Sequence, residues 1–353
     1  MSTGTDSKSL GLNMSLRSTV RQKFVSALRS GDLLFSETQL AILPLSKKPK
    51  DNVPPKNENP KPKQDPFDDP RPELLISETP TGAHILLLNK YPVIPNHFIL
   101  ATKANKPQTH LLDQDDLAVS YACLRAWQED ASGSEDGQLF AFFNSGEHSG
   151  ASQPHRHIQF VPVSDMRINN TKWQHPDTFD WNPLILSMKS NFHASSTINY
   201  TSNARLPIRH FASPLHDESP TSLYSKYISL LKLATVATRN PAGAFITDVG
   251  DVKIDEDGEI TFSYNLAMTT EILAICPRQV ESASIPGLDS SHSVSVNGTI
   301  LGGTLMVKEQ QEWDALRNNH GALDSIIETI GFPIEQDSQP LISPNTIPSS
   351  THL

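Results

Sequence analysis

Two histidines and a glutamine occupy every second position of the stretch His155-Arg156-His157-Ile158-Gln159-Phe160. Imidazole combines a nucleophilic lone pair with a neutral form at physiological pH, because its ordinary pKa lies near ~6.5. One ring nitrogen can attack phosphorus while the other donates to an acceptor that fixes the tautomer. A neighbouring amide can donate to a non-bridging phosphate oxygen without adding a second nucleophile. Upstream, Asn144 to Pro154 reads NSGEHSGASQP, a run of small residues and hydroxyls. Its glycines, Gly146 and Gly150, let backbone N–H groups come close to phosphate oxygens. These residue types point to nucleophilic catalysis at a phosphorus centre. On spacing alone, a metal-binding pair and a solvated polar strand stand as alternatives. The metal reading lacks a Cys or carboxylate on the same run. The loop has no Lys in Walker position, which disfavours a P-loop.

The chemistry requires both imidazoles on one face. Alternate residues share a face in a strand and scatter around a helix. Pro154 and Pro162, with Ile158, Phe160 and Val161, make a poor helix and a good strand. The expectation is a catalytic strand over 155–163. His155, His157 and Gln159 share one face, and Arg156, Ile158 and Phe160 the other.

Other elements must hold that strand. Leu16 to Phe35 reads as a helix with an apolar stripe (Val20, Phe24, Val25, Leu28 and Leu33) and Gly31 as its cap. Residues 36–46 read as a short strand. Residues 47–73, rich in Pro, Lys, Asn and Asp, cannot build a core and predict a mobile surface loop. Two strands flank Thr79-Pro80-Thr81-Gly82, and His97 to Lys103 is a third. Asp113 caps a helix that runs to Asp130, and residues 137–146 form a strand. Residues 173–191 are loop-rich, 204–215 extended and 221–239 helical. The clearest sheet signal is 244–278, with a hairpin turn at Asp257-Gly258. Residues 308–333 are helical. Residues 1–15 are expected to be disordered. Residues 16–205 and 206–335 form two parts of one catalytic domain, and 336–353 a tail. The class is α+β, an antiparallel β-sheet with packed helices.

Composition narrows the function. The 353 residues carry a formal net charge of −10, which argues against nucleic acid as a partner. Hydrophobic residues make up 37% and charged residues 19%, as in a soluble globular chain. No apolar run approaches the ~20 residues of a membrane span, and residues 1–10 lack the pattern of a signal peptide. A cytoplasmic or nuclear location is expected. Cys123 and Cys276 read as buried thiols. The acids around Gly258 lack the loop of an EF-hand. His148 is expected in solvent, and His210 as a hydrogen-bonded structural residue.

The stretch NSGEHSGASQPHRHIQ resembles the His-x-His-x-Gln signature of the fungal ATP adenylyltransferases, also called diadenosine tetraphosphate phosphorylases, of the histidine-triad superfamily. NKYPVIPNHFILATK (Asn89 to Lys103) is similar to the family's second landmark. LPIRHFASPL, SYNLAMTTEILAICPR and Gly331 to Pro333 resemble its C-terminal part. The likeness covers roughly residues 15 to 335. It implies a histidine-triad-like fold and a covalent AMP on His157. His155 would orient that ring and assist the leaving oxygen, and Gln159 would hold the phosphoryl oxygens. It further implies a phosphate cradle from Asn144 and from Gly150, Ala151, Ser152 and Gln153. Nucleotide contacts would come from Asn89, Lys90, Thr269 and Thr270, and Lys48 would reach the polyphosphate. Gln at the third position is similar to the transferase branch rather than the hydrolases, whose third residue is His. The implied reaction is reversible phosphorolysis of diadenosine tetraphosphate to ATP and ADP, with ADP plus sulfate or phosphate as further substrates. No obligatory cofactor is implied; magnesium could accompany the polyphosphate. The partners are nucleotides and phosphate, with no membrane, and the chain is expected to be a monomer. The competing functions are a hexose-1-phosphate uridylyltransferase, a dinucleoside polyphosphate hydrolase and a non-catalytic nucleotide sensor.

Overall fold

In the computed structural model the described residues are 5–35, 43–44, 65–130, 137–168, 182–194, 199–203, 206–240, 246, 249–255, 258–307, 309–319 and 321–334. The first half contains α1 (Thr5–Ser9), α2 (Leu16–Ser30), β1 (Leu43–Pro44), β2 (Leu75–Glu78), β3 (His84–Leu88), β4 (Phe98–Thr102), α3 (Gln114–Glu129), β5 (Leu139–Ser145), β6 (His157–Pro162) and α4 (Val163–Ile168). The second half contains β7 (Asn191–Ala194), β8 (Asn199–Ser202), β9 (Phe211–Pro214), α5 (Pro220–Arg239), β10 (Ser263–Met268), β11 (Ile272–Arg278), β12 (Ser282–Ser284), β13 (Ser293–Ser295), β14 (Met306–Val307), α6 (Gln310–Asn318) and α7 (Ala322–Ile330). Two 3₁₀ helices, Leu184–Ser190 and Gly298–Gly302, complete the set.

Ten strands form one sheet in the order β2-β3-β4-β6-β5-β10-β11-β9-β8-β7. Every adjacent pair in it is antiparallel. The two halves meet where β5 pairs with β10, Asn144 opposite Asn265. Alternation then builds two cores, because successive side chains leave opposite faces. On one face Phe98, Phe160 and Trp127 stack, with ring centroids 4.8 and 6.0 Å apart, beneath α3. Leu230, Leu231 and Ala234 of α5 and Val20 and Phe24 of α2 extend that core. On the other face Phe140, Phe142, Val161, Ala267 and Ala274 pack with Ile300, Ile326 and Ile330. Beside it, Phe67 covers a small apolar patch of Ile85, Leu87, Ile99 and Ala101.

The α+β expectation holds, and several local expectations change. The N-terminal stretch is ordered from Thr5 onward: α1 forms there, and Leu10 and Leu12 are buried. Two buried leucines in a polar stretch hold it beside α3. Of the segment expected to be mobile, Asp65 to Glu73 are described, and Phe67, only 5% exposed, fastens them to the sheet; residues 47–64 lie outside the described residues. The catalytic strand is shorter than 155–163. Ladder pairing begins at His157, and α4 begins at Val163. His155 makes only an isolated bridge with Pro107. The hairpin also moves. Its turn is Thr269-Thr270-Glu271, between β10 and β11. Asp257 lies outside the described residues; the Gly258 N–H bonds to the Asp255 carbonyl, and the Ile260 N–H to the Thr109 carbonyl. An Asp-Gly pair is a strong local turn signal, but the burial of β10 and β11 decides where strands pair. The C-terminal helical run breaks in two at Asn319, which has extended backbone. The tail 336–353 lies outside the described residues.

Candidate active site

β6 carries the site because its two neighbours hold it in register. Ala101 of β4 pairs with His157, and Ile99 with Gln159. Phe142 of β5 pairs with Gln159 from the other side. Between Asn144 and His157 the direct ladder is replaced by a side chain. Gln108 Nε2 donates to the carbonyls of Asn144 (2.8 Å) and His157 (3.3 Å), and its Oε1 accepts the His157 N–H at 2.7 Å. Below the strand, Arg156 reaches Asp116 of α3 at 2.8 Å, and Asp116 also binds His84 Nε2 at 2.7 Å. Burial raises the Asp116 carboxyl, but the His84 hydrogen bond and the Arg156 charge outweigh it and hold it below its ordinary value. The opposite faces expected for the odd and even residues are therefore present.

His157 is 2% exposed. Its Nδ1–H donates to the His155 carbonyl at 2.8 Å, which places the lone pair on Nε2. Burial pushes its pKa down to about 4, partly offset by that backbone bond, so the ring is neutral at pH 7. The His155 ring faces the same side. The Phe67 ring contacts both imidazoles, with centroids 5.4 and 5.2 Å away. Both nitrogens of His155 are engaged: Nδ1 with the Asp65 carboxylate at 2.6 Å and Nε2 with the Thr102 carbonyl at 2.7 Å.

Two side-chain relays set the amides around His157. In the first, the Tyr91 N–H donates to Asn89 Oδ1 at 2.9 Å, and Asn89 Nδ2–H donates to His97 Nδ1 at 3.2 Å. His97 Nε2–H then donates to Gln159 Oε1 at 3.1 Å. Burial lowers His97 to about 4, against the raising effect of the Gln159 bond, which suits a neutral ring that accepts at one nitrogen and donates at the other. The relay leaves the Gln159 NH₂ as the outward donor. In the second, Arg278 Nη1–H donates to Asn265 Oδ1, and Asn265 Nδ2–H donates to Asn144 Oδ1 at 3.0 Å. The Gly298 N–H reaches the same Asn144 oxygen at 2.8 Å. Asn144 Nδ2 is buried and has no hydrogen-bond partner. Such a group needs an acceptor.

The small-residue loop follows β5. Gly150 has φ +79°, and a Cβ there would lie 2.8 Å from the Val296 carbonyl oxygen. Among the described residues, the N–H groups of Gly150, Ala151, Ser152 and Gln153 donate to no protein acceptor. His148 is exposed, as expected.

The structure brings together His157, Gln159, His155, Asn144 and Asn89, with the loop 150–153 leading into His155. Lys90 sits at the rim, its ammonium 5.2 Å from the Tyr91 ring centroid. Thr269 and Thr270 lie at the β10–β11 turn and are not joined to this cluster. The Thr269 hydroxyl accepts the Glu271 N–H, and the Thr270 carbonyl accepts the Tyr121 hydroxyl on the α3 side. Lys48 lies outside the described residues. His210 is structural: Nδ1 bonds to the Ile208 carbonyl and Nε2 accepts the Asn203 N–H, both at 2.7 Å. Both cysteines are free and buried. Sequence reasoning missed Asp65, His97, Gln108 and Arg278. For His97 no local signal existed: it precedes β4, and its partner Gln159 lies 62 residues on. Among the described residues, no group of three His, Cys, Asp or Glu is placed to hold a metal ion. No helix there is long and apolar enough to cross a membrane.

Comparison with known proteins adds an independent finding. Residues 12–174 match the family model "Ap4A phosphorylase N-terminal domain", and residues 204–333 match "ATP adenylyltransferase C-terminal domain". Diadenosine 5',5'''-P1,P4-tetraphosphate phosphorylase 2 of Saccharomyces cerevisiae is 28% identical over 350 residues, covering 92% of this chain and 97% of the yeast one. Protein APA1 of the same yeast is 27% identical over 352 residues, with the same coverage. The crystal structure of yeast Ap4A phosphorylase Apa2 superposes with a TM-score of 0.68 at 24% identity, over 91% of this chain and 99% of the yeast one. The same yeast protein has been solved in complex with Ap4A and with AMP.

Proposed function

The chain belongs to the Ap4A phosphorylase / ATP adenylyltransferase family, and from that footing we propose that it phosphorolyses diadenosine tetraphosphate (Ap4A) through a covalent AMP on His157. The observation that supports this most is the tautomer of His157. Its Nδ1–H is committed to the His155 carbonyl, so a neutral Nε2 lone pair stands on the face shared with Gln159.

In the first step His157 Nε2 attacks an α-phosphorus and ATP departs with the electron pair of the broken P–O bond. The adenylylated ring keeps its Nδ1 proton and becomes cationic, which strengthens its bond to the His155 carbonyl. The Gln159 NH₂, the unpaired Asn144 Nδ2–H and the free N–H groups of residues 150–153 are the donors for the charge that builds on the phosphoryl oxygens. In the second step inorganic phosphate attacks the same phosphorus, ADP leaves, and His157 is regenerated. Asn89 and Lys90 would contact the nucleotide, Lys48 the polyphosphate, and Thr269 and Thr270 a more distant part of the substrate. Magnesium would arrive with the polyphosphate, and ADP with sulfate or phosphate would be an alternative substrate pair. His155 orients His157 through its carbonyl. Its ring is already held at both nitrogens, so the leaving oxygen would take its proton from elsewhere.

The deciding experiment is incubation with Ap4A, with and without phosphate, followed by separation of the nucleotides. ATP and ADP formed only with phosphate are expected. AMP and ATP formed without phosphate would identify a hydrolase. His157→Ala should lower turnover to background, and wild-type turnover in that variant would remove His157 as the nucleophile.

A further inference from the structure

The strongest unassigned feature is a carboxylate that reaches the catalytic pair from ninety residues away in sequence. Asp65 Oδ2 lies 2.6 Å from His155 Nδ1. The same carboxylate is held in place by its own donors: Asn105 Nδ2–H at 3.0 Å and the Phe67 N–H at 2.9 Å. Phe67, two residues on, is buried on Ile85, Leu87, Ile99 and Ala101 and contacts both imidazole rings. The segment is therefore anchored by an apolar side chain and fully hydrogen-bonded at its carboxylate. The opposite nitrogen of His155 meets the Thr102 carbonyl at 2.7 Å, an acceptor only, and the Thr102 hydroxyl at 3.1 Å, which can donate or accept. An acceptor thus faces each nitrogen of the His155 ring. Its side chain is 2% exposed, so protons on both nitrogens would need a nearby negative charge, which the Asp65 carboxylate offers.

We propose that Asp65 is a positioning residue for nucleotidyl transfer: by holding the doubly protonated His155 ring against Thr102, it fixes the His155 carbonyl that sets the tautomer of His157. The proposal deepens the phosphorylase reading and rests on it. The geometry has three linked parts. Asp65 and Thr102 clamp the His155 ring from two sides. The clamped residue presents its carbonyl to His157 Nδ1 at 2.8 Å. The carbonyl then keeps the proton on Nδ1 throughout the reaction: it leaves the Nε2 lone pair free to attack, and it still holds the Nδ1–H when the adenylylated ring is cationic. Asn at position 65 would keep the size of the side chain but supply no charge, so a second proton on the His155 ring would lose its counter-charge.

The test uses the full chain, with ¹⁵N-labelled histidine and the His155 signals assigned by their loss in His155→Gln. Wild type is expected to show both His155 ring nitrogens protonated, and Asp65→Asn only one. In the same variant kcat for Ap4A phosphorolysis should fall roughly 10- to 100-fold, as when the partner of a working histidine is removed. KM should stay within about threefold, because no substrate contact is lost. Asp68→Asn, an exposed neighbour, should change neither readout. An unchanged His155 signature in Asp65→Asn, or a kcat within about twofold of wild type, overturns the proposal. The ring signature is read without turnover, so a wild-type chain inactive on Ap4A strikes the functional reading alone.

Discussion

At the scale of single residues, the site depends on which nitrogen or oxygen each side chain has left to offer. Burial holds His157 near 4, below its ordinary value. The sign follows directly: the neutral nucleophile persists as pH falls, and protonation removes it only below about 5. kcat/KM measured from pH 8 to 5 should therefore show no loss near 6.5 from His157; an acid limb centred there would contradict the assigned environment. His97 fixes the Gln159 amide. His97→Phe keeps the ring volume but drops both hydrogen bonds, leaving Gln159 free to turn its oxygen toward the phosphate. A fall in kcat of about tenfold is expected, read by steady-state kinetics beside Gln159→Leu, which should cost at least as much. The His-x-His-x-Gln pattern was legible because it is local and has period two. His97, Gln108 and Asp65 were not, because each acquires its role from a partner 49 to 90 residues away. Asp65 was further hidden in a segment whose composition reads as structureless.

At the scale of elements, α3 and β6 are fastened by Arg156, which is 4% exposed. Arg156→Met would fill the space but leave Asp116 buried with only His84 and a backbone N–H for company. A loss of about 3 kcal/mol is expected, measured by urea denaturation; a loss near zero would mean the ion pair contributes nothing beyond its volume. The loop 150–153, proposed to cradle phosphate, is tied to the segment before the Gly298 helix. In Gly150→Ala the new methyl would meet the Val296 oxygen and Asn297, in a backbone conformation that favours glycine. We expect a loss of about 1–3 kcal/mol together with a raised KM, because the N–H groups of residues 150–153 move. Helices α2, α3 and α5 were readable as helices, but the α2 stripe was only partly right: Val20 and Phe24 are buried, while Val25 and Leu28 are exposed and the small Ala27 packs instead. The hairpin was misplaced because Asp257-Gly258 carries the stronger local signal, while the real turn uses threonines.

At the scale of the whole molecule, three fully buried histidines titrate together. His97, His157 and His210 are each pushed to about 4, chiefly by burial. Above pH 6.5 both folded and unfolded chains hold them neutral, and their contribution is complete. Between 6.5 and 4 only the unfolded chain takes up protons, so stability drops with falling pH, by about 1.4 kcal/mol per histidine per pH unit. Urea midpoints at pH 7, 6 and 5 should decline progressively; a flat series would sink the assignment of neutral buried rings. The long sheet explains why the fold class was readable but its layout was not: strand order depends on pairings such as β5 with β10 that no local signal encodes. That pairing carries a lesson for protein engineering. The two family models divide the sequence, yet Asn144 of one and Asn265 of the other share a hydrogen bond beside the proposed site. Fragments cut between them would each expose an unpaired sheet edge and half of that proposed site. Expressed apart they should be inert and aggregation-prone; expressed together they should reassemble, which would make the chain a natural template for a split-enzyme reporter.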